Sequence, residues 1–437
     1  MAHFAVVTPA FYSHVGAMAA LAVELVERGH RVTFLHRPDA AQWIPDARIG
    51  FHAVGAATHP PGSVAAALRR AANPGGPLGL RRVIFDMADA TTMLCRELPA
   101  ALEFLRVDAV LADQMEAAGG LVAEALGLPF VSVACALPVN REPAVPLPVM
   151  PFAYGTSERH LKMVEGSTRV YDWMMGPHRR AIAAQARRFG LGERDNLHHF
   201  LSPLAQLSQT TSAFDFPRRG LPAHFHHVGP LRFTCRANIN AGAAHRDYFL
   251  PQVANDRPFI FASLGSMQGS RFRLFRRIVR ACRDLDVQLL VAHCGGLDAH
   301  QEQVLKGEGA TWVCAFAQQE AVLARADAVV SHAGVNTVMD AIAARTPMLA
   351  LPIAFDHPGM AARVVHAEIG LRMSPRLASA ASIGAGVRRL LDEPEFRRRI
   401  EPLAENLAQA GGTPRAADIV ERALQLRRAP DSVACLG

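Results

Sequence analysis

Short apolar runs and amphipathic stretches alternate along most of this chain. Phe4–Val7 is apolar throughout. Residues 15–28 then place apolar side chains at helical spacing, closed by Gly29, and Arg31–Leu35 is mostly apolar again. The pattern predicts strand, helix, strand. It resumes at Val107–Ala112, a strand ending at Asp113, followed by a helix over 117–126 and a strand over 129–135. Strands alternating with helices imply a parallel sheet covered on both faces. Residues 60–79 and the proline-rich 143–151 show no clear period. They read as long loops, of the kind that wall binding sites.

A second alternating series follows His227-Val-Gly-Pro-Leu231. Residues 232–257 have weak periodicity. A strand is then predicted at 259–262, a turn at Ser263–Ser266, and an Arg-rich helix from Phe272. Further strands fall at 288–292 and 311–314, and two strand–helix blocks fill 326–369. Gly411-Gly-Thr-Pro414 opens a last helix, expected to end near Arg428. The prediction is an α/β chain with two Rossmann-like units, 1–230 and 258–410, joined by a linker at 231–257. The helix and tail at 411–437 are expected to cross back to the first unit.

Composition narrows the classes. Half of the 437 residues are hydrophobic and 19% are charged, a globular balance. The net charge of +7 and pI near 9.3 raise nucleic acid or anionic lipid as partners. The charge is almost all arginine, in short clusters such as Arg69-Arg70 and Arg81-Arg82, with no basic run interleaved with aromatics. Nucleic acid is therefore not expected. The seven cysteines contain no CxxC pair and read as reduced thiols. With no signal-like start and no apolar run of about 18 residues, a cytoplasmic location is expected.

The densest chemistry lies at Ser331-His-Ala-Gly-Val-Asn-Thr-Val-Met-Asp340. A buried strand ends at His332, Gly334 makes a tight turn, and a helix begins near Asn336 and Thr337. Unpaired N–H groups and the helix dipole suit a phosphate there. Asp340, one turn along, could accept from a ribose diol. The next strand, Thr346–Pro352, leads to Asp356 and His357 on a loop at the carboxyl end, where open α/β sheets bind ligands. In the first half, His14 is expected on a loop after the first strand, with Asp113 at the carboxyl end of a later one. An imidazole oriented by a carboxylate can take a proton from a hydroxyl. Neither GxGxxG after the first strand nor GxxxxGK[ST] occurs, which argues against dinucleotide redox and NTP hydrolysis. His198-His199 and His226-His227 lack a further ligand at metal spacing, so no metal and no cofactor are expected.

Several segments carry a family resemblance: Ala10-Phe-Tyr-Ser-His-Val15, Ala112-Asp-Gln-Met-Glu116, residues 131–143, Phe261-Ala-Ser-Leu-Gly265, Leu290–Gly296 and the 331–357 block. Over nearly its whole length the chain resembles the family 1 inverting glycosyltransferases, with their GT-B fold of two facing Rossmann-like domains. Within them it is similar to the bacterial carotenoid glucosyltransferases. The resemblance implies His14 as general base and Asp113 as its partner. It implies Ser266, His332, Asn336 and Thr337 on the diphosphate, Phe316 stacked on uracil, and Ala317 meeting the base through its backbone. Gln319 and Asp340 fall on the ribose, and Asp356 on sugar hydroxyls. His357 stands where the family usually has Gln, a departure bearing on which hexose is taken. The implied reaction moves a hexose, glucose by resemblance, from a UDP-sugar to a hydroxyl of an apolar acceptor such as a hydroxycarotenoid. Residues 60–80 and 140–175, with Trp173-Met-Met175, are expected to wall the acceptor channel, and arginines with apolar loops to allow peripheral contact with a membrane. A macrolide, polyketide or phenolic acceptor fits the same motifs, as does a UDP-sugar 2-epimerase or a catalytically silent binder.

Overall fold

The computed structural model describes residues 1–233 and 248–425. Most of the expected linker, and the tail including Arg428, lie outside the described residues. Two wholly parallel sheets organise the rest. The first has seven strands: β1 (His3–Val7), β2 (Arg31–His36), β3 (Gly50–Ala53), β4 (Ala109–Asp113), β5 (Phe130–Ala134), β6 (Gln206–Ser208) and β7 (Phe225–His227). Their spatial order is β3-β2-β1-β4-β5-β6-β7. The second has β8 (Phe259–Ser263), β9 (Gln288–Ala292), β10 (Trp312–Cys314), β11 (Ala328–Ser331), β12 (Met348–Ala350) and β13 (Gly370–Arg372), ordered β10-β9-β8-β11-β12-β13. Central strands such as β1, β4, β8 and β11 are buried at every residue, so they read as continuous apolar runs.

In both sheets the order reverses beside the first strand. That leaves a crevice at the carboxyl ends, the switch point where such sheets bind ligands. Register aligns the two crevices' walls. Val7 pairs with Ala112, so the chain leaving β1 emerges beside Asp113. Ser263 pairs with Ser331, so the chain leaving β8 emerges beside His332.

Three expectations need correction. The first helix runs Tyr12–Glu27, so His14 sits in its first turn and not on a preceding loop. Phe11 is the extended residue before it. Residues 60–79 are mostly helical: one helix spans Ser63–Ala72 and another Pro77–Leu105, with Pro77 in its first turn. Trp173 is 81% exposed on the helix Glu158–Met174 and walls no channel.

The last described helix, Gly412–Ala423, returns to the first sheet's side. Ala416, Ala417, Ile419 and Val420 share a core with Val15, Met18 and Ala22 of the first helix. Arg28 seals the contact, reaching Asp418 and Glu421 at 2.7 Å each. The two sheets' layers also meet directly. Arg363, on the helix His357–His366, donates to Asp215 at 2.6 Å with both side chains 1% exposed, and its guanidinium lies 4.2 Å from the Phe216 ring centre.

Candidate active site

Asp113 ends β4 with its carboxylate buried, and four donors converge on it. His14 Nδ1 lies 2.7 Å from Oδ2, Thr8 Oγ1 donates to Oδ2 at 3.3 Å, and the Met115 N–H donates to Oδ1 at 2.9 Å. The Cys135 thiol also points at it, and burial together with Asp113 pushes that thiol's pKa well above its ordinary value. With Nδ1–H given to Asp113, the His14 Nε2 is left as the acceptor. Burial works to lower the His14 pKa. The charge and hydrogen bond of Asp113, with the charge of Asp356, outweigh it, so the net shift is upward.

A nitrogen of His14, an oxygen of Asp113 and the sulfur of Cys135 lie within 4.8 Å of one another, a ligand set that spacing along the chain does not disclose. A metal would need Cys135 as thiolate. The Asp113 carboxylate in this set is already engaged by hydrogen bonds from His14, Thr8 and the Met115 N–H.

Asp356 comes from the other sheet. Its Oδ2 accepts the Leu137 N–H at 3.2 Å, across the cleft, and burial raises its pKa. Phe11, on the segment after β1, and Phe355, beside Asp356, pack edge to face at 5.6 Å, and Phe11 also lies 5.5 Å from the His14 ring. The residues expected on the acceptor side and the sugar side are thus brought together.

Beside them lies an apolar cavity, lined mostly by the first domain with Phe355 from the second. Phe11, Val64, Leu68, Met87, Met93 and Phe355 wall it. The wall also holds Glu116, which accepts from Thr91 at 2.8 Å and whose pKa burial lifts to about 7. Residues 60–79, which include the first of these helices, show no clear period, and Glu116 stands in the sequence only within the Ala112–Glu116 motif.

The second crevice holds the remaining expected residues. The helix Val335–Ala343 begins at Gly334 with no side-chain cap, leaving its first N–H groups open to an anion. Gly334 has an ordinary φ of −69°, so the turn does not need a glycine; the left-handed residue is Ala333. Space decides instead. A Cβ on Gly334 would sit 2.5 Å from His332 Nε2, and one on Gly265 2.6 Å from the same ring. Those two glycines make the slot for the imidazole. Burial lowers the His332 pKa to about 4, so it stands neutral. His357 packs edge-on against it at 4.5 Å and takes the Ala354 N–H on Nδ1 at 3.2 Å. Burial, then His332, hold His357 well below the usual histidine range. Ser266 lies exposed on the short helix Gly265–Gln268, across the register from His332.

Gln319 donates to Asp340 Oδ2 at 2.7 Å, which joins the two expected ribose residues. Phe316 is partly buried, packs edge-on against Tyr248 at 6.2 Å and faces Gly295. Phe249 bridges the strand there through the Phe316 carbonyl and the Gln318 N–H, leaving the polar groups of Ala317 outside that bridge. Thr337 is buried in the helix. Arg232 was missed. It reaches Asp340 Oδ1 at 2.8 Å and Asn336 Oδ1 at 3.2 Å, from a segment whose weak periodicity reads as linker.

Residues 267–409 match the glycosyltransferase family 28 C-terminal domain. The zeaxanthin glucosyltransferase of Pantoea ananas is 50% identical over 97% of this chain and 96% of its own length. That of Pseudescherichia vulneris is 45% identical over 97% and 98%. The kitacinnamycin glycotransferase structure superposes with a TM-score of 0.74 at 22% identity, covering 97% of this chain and 99% of that one. The calicheamicin glycosyltransferase CalG4 does so at 0.73 and 21%, over 97% and 98%. Fold and relatives together define a glycosyltransferase with the GT-B architecture. The chain belongs to the family of the bacterial zeaxanthin glucosyltransferases.

Proposed function

We propose that this enzyme transfers a hexose, glucose in the first instance, from a UDP-sugar to the hydroxyl of an apolar acceptor, and that the acceptor is a hydroxycarotenoid. The observation that carries the reading is the His14–Asp113 pair, 2.7 Å apart, beside an apolar cavity and facing Asp356 of the other domain. Two relatives named for zeaxanthin support the acceptor.

In this reading the acceptor hydroxyl gives its proton to His14 Nε2, and Asp113 stabilises the imidazolium. The freed oxygen attacks the sugar's anomeric carbon from the side opposite the phosphate. The bond to the β-phosphate oxygen breaks with its electron pair, and the anomeric centre inverts. The departing UDP is held by the first N–H groups of the helix Val335–Ala343 and by neutral His332, without a divalent cation. Asp356 and His357 hold the sugar, Gln319 and Asp340 the ribose, and Phe316 and Ala317 the base, with Ser266, Asn336 and Thr337 completing the phosphate site. No protein cofactor is needed, and a peripheral place at the inner face of the cell membrane suits such an acceptor.

The test is incubation with UDP-glucose, UDP-galactose and dTDP-glucose against zeaxanthin and a macrolide aglycone, followed by product mass and anomeric NMR. The expected product is a β-glycoside of zeaxanthin. Transfer to the aglycone alone, an α-glycoside, or release of a free epimerised UDP-sugar would each overturn the reading.

A further inference from the structure

The helices Ser63–Ala72 and Pro77–Leu105 wall the cavity with one side of each: Val64, Leu68 and Ala71 from the first, Val83, Met87 and Ala90 from the second. Their other side is unusual. Leu78 is 80% exposed and Phe85 47% exposed. Leu78, Arg81, Arg82 and Phe85 follow at three- and four-residue spacing, so they share one face of the second helix. Arg81 lies over the Phe85 ring, 5.5 Å from its centre. Arg69 is exposed on the first helix, and Arg70 is exposed but paired with Asp86 at 2.8 Å. Large apolar side chains flanked by arginines are the composition of a helix lying in a bilayer interface. No helix among the described residues is long and apolar enough to cross a membrane.

We propose that the outer face of this helix pair docks on an anionic phospholipid bilayer, inserting Leu78 and Phe85 while Arg69, Arg81 and Arg82 meet the phosphate headgroups. Docked this way, the cavity's wall lies on the lipid, and an acceptor dissolved in the bilayer enters without crossing water. The second part rests on the reading that the cavity takes an apolar acceptor; the docking itself does not. The charge complementarity fixes the occupant. Arginines near an anionic surface each contribute roughly a fivefold gain in affinity, and Leu78 and Phe85 add burial of apolar area. Asp89, exposed one turn further on the same face, marks where contact ends.

The experiment is co-sedimentation of the full chain with phosphatidylcholine vesicles, with and without about a third phosphatidylglycerol. The wild type is expected to bind the mixed vesicles at least tenfold tighter than the neutral ones. Arg81→Gln with Arg82→Gln, and separately Leu78→Ser with Phe85→Ser, are each expected to lower that affinity tenfold or more. Both variants should keep wild-type turnover on acceptor in detergent micelles, since none of these four residues lines the cavity. Absence of wild-type binding overturns the proposal, as does unchanged binding by both variants. Loss in Trp173→Ala alone would place docking on the helix Glu158–Met174 and overturn it equally. If vesicle binding behaves as stated but no carotenoid glycoside forms in any medium, the acceptor reading fails and the docking face stands.

Discussion

Asp113 Oδ2 lies 2.7 Å from His14 Nδ1, although 99 residues separate the two in the chain. The contact sets the imidazole's tautomer and lifts its pKa against the effect of burial. His14→Ala is expected to lower kcat by about 10²–10⁴-fold and leave UDP affinity unchanged. Turnover assays with calorimetry of UDP binding check this, and a lost UDP affinity would contradict the separation of the two sites.

The sign of the pH effect follows. A general base acts when neutral, so the rate should rise with pH through a pKa above the ordinary histidine value of about 6.5. Asp113→Asn keeps the shape and removes the charge. Its maximal rate should fall, and the acid limb of its kcat/KM profile should move to lower pH. A limb that stays in place would mean that His14 is not the titrating group.

His332→Ala and Asn336→Ala should each weaken UDP binding by about 1.5–3 kcal/mol, the range for hydrogen bonds to a charged group. The fold should persist, as read by circular dichroism. EDTA should leave turnover unchanged; strict dependence on magnesium would contradict the site.

Arg232 ties the entry segment to Asn336 and Asp340. Its side chain is 29% exposed, so the loss in Arg232→Ala is placed at about 1–2 kcal/mol, below that of a fully buried pair. UDP affinity should drop with it, because Asp340 and Gln319 lose their alignment. Arg232→Lys should recover little, since an ammonium cannot meet two acceptors as a planar fork does. Thermal melts and UDP titrations of both variants measure this.

His357→Gln should change the ratio of UDP-glucose to UDP-galactose use. Neutral His357 has its Nδ1 committed to Ala354 and offers one N–H to the sugar, whereas Gln offers a donor and an acceptor. Competition kinetics with both donors decide it, and an unchanged ratio would remove His357 from sugar recognition.

Local pattern determined much of this protein. The central strands are apolar at every position because both faces are covered, so they are visible one residue at a time. Ending those strands at Asp113 and His332 was enough to put both groups at carboxyl ends. The start of the helix Pro77–Leu105 falls in the unperiodic stretch because Pro77, Leu78, Gly79 and Leu80 supply no polar face; its charged face begins at Arg81 and Arg82. Pro99 inside it further obscures the pattern. Tertiary structure alone decided which groups meet. The strand order put β1 beside β4 and so His14 beside Asp113. Docking of the second sheet's layer, held by Asp215 and Arg363, brought Asp356 to Leu137 and under the influence of His14. Arg232 reached Asp340 from a segment with only weak periodicity. Hydrophobic period is written in neighbours three or two residues apart, whereas these contacts join residues about a hundred or more apart and exist only once the sheets have formed and closed on each other.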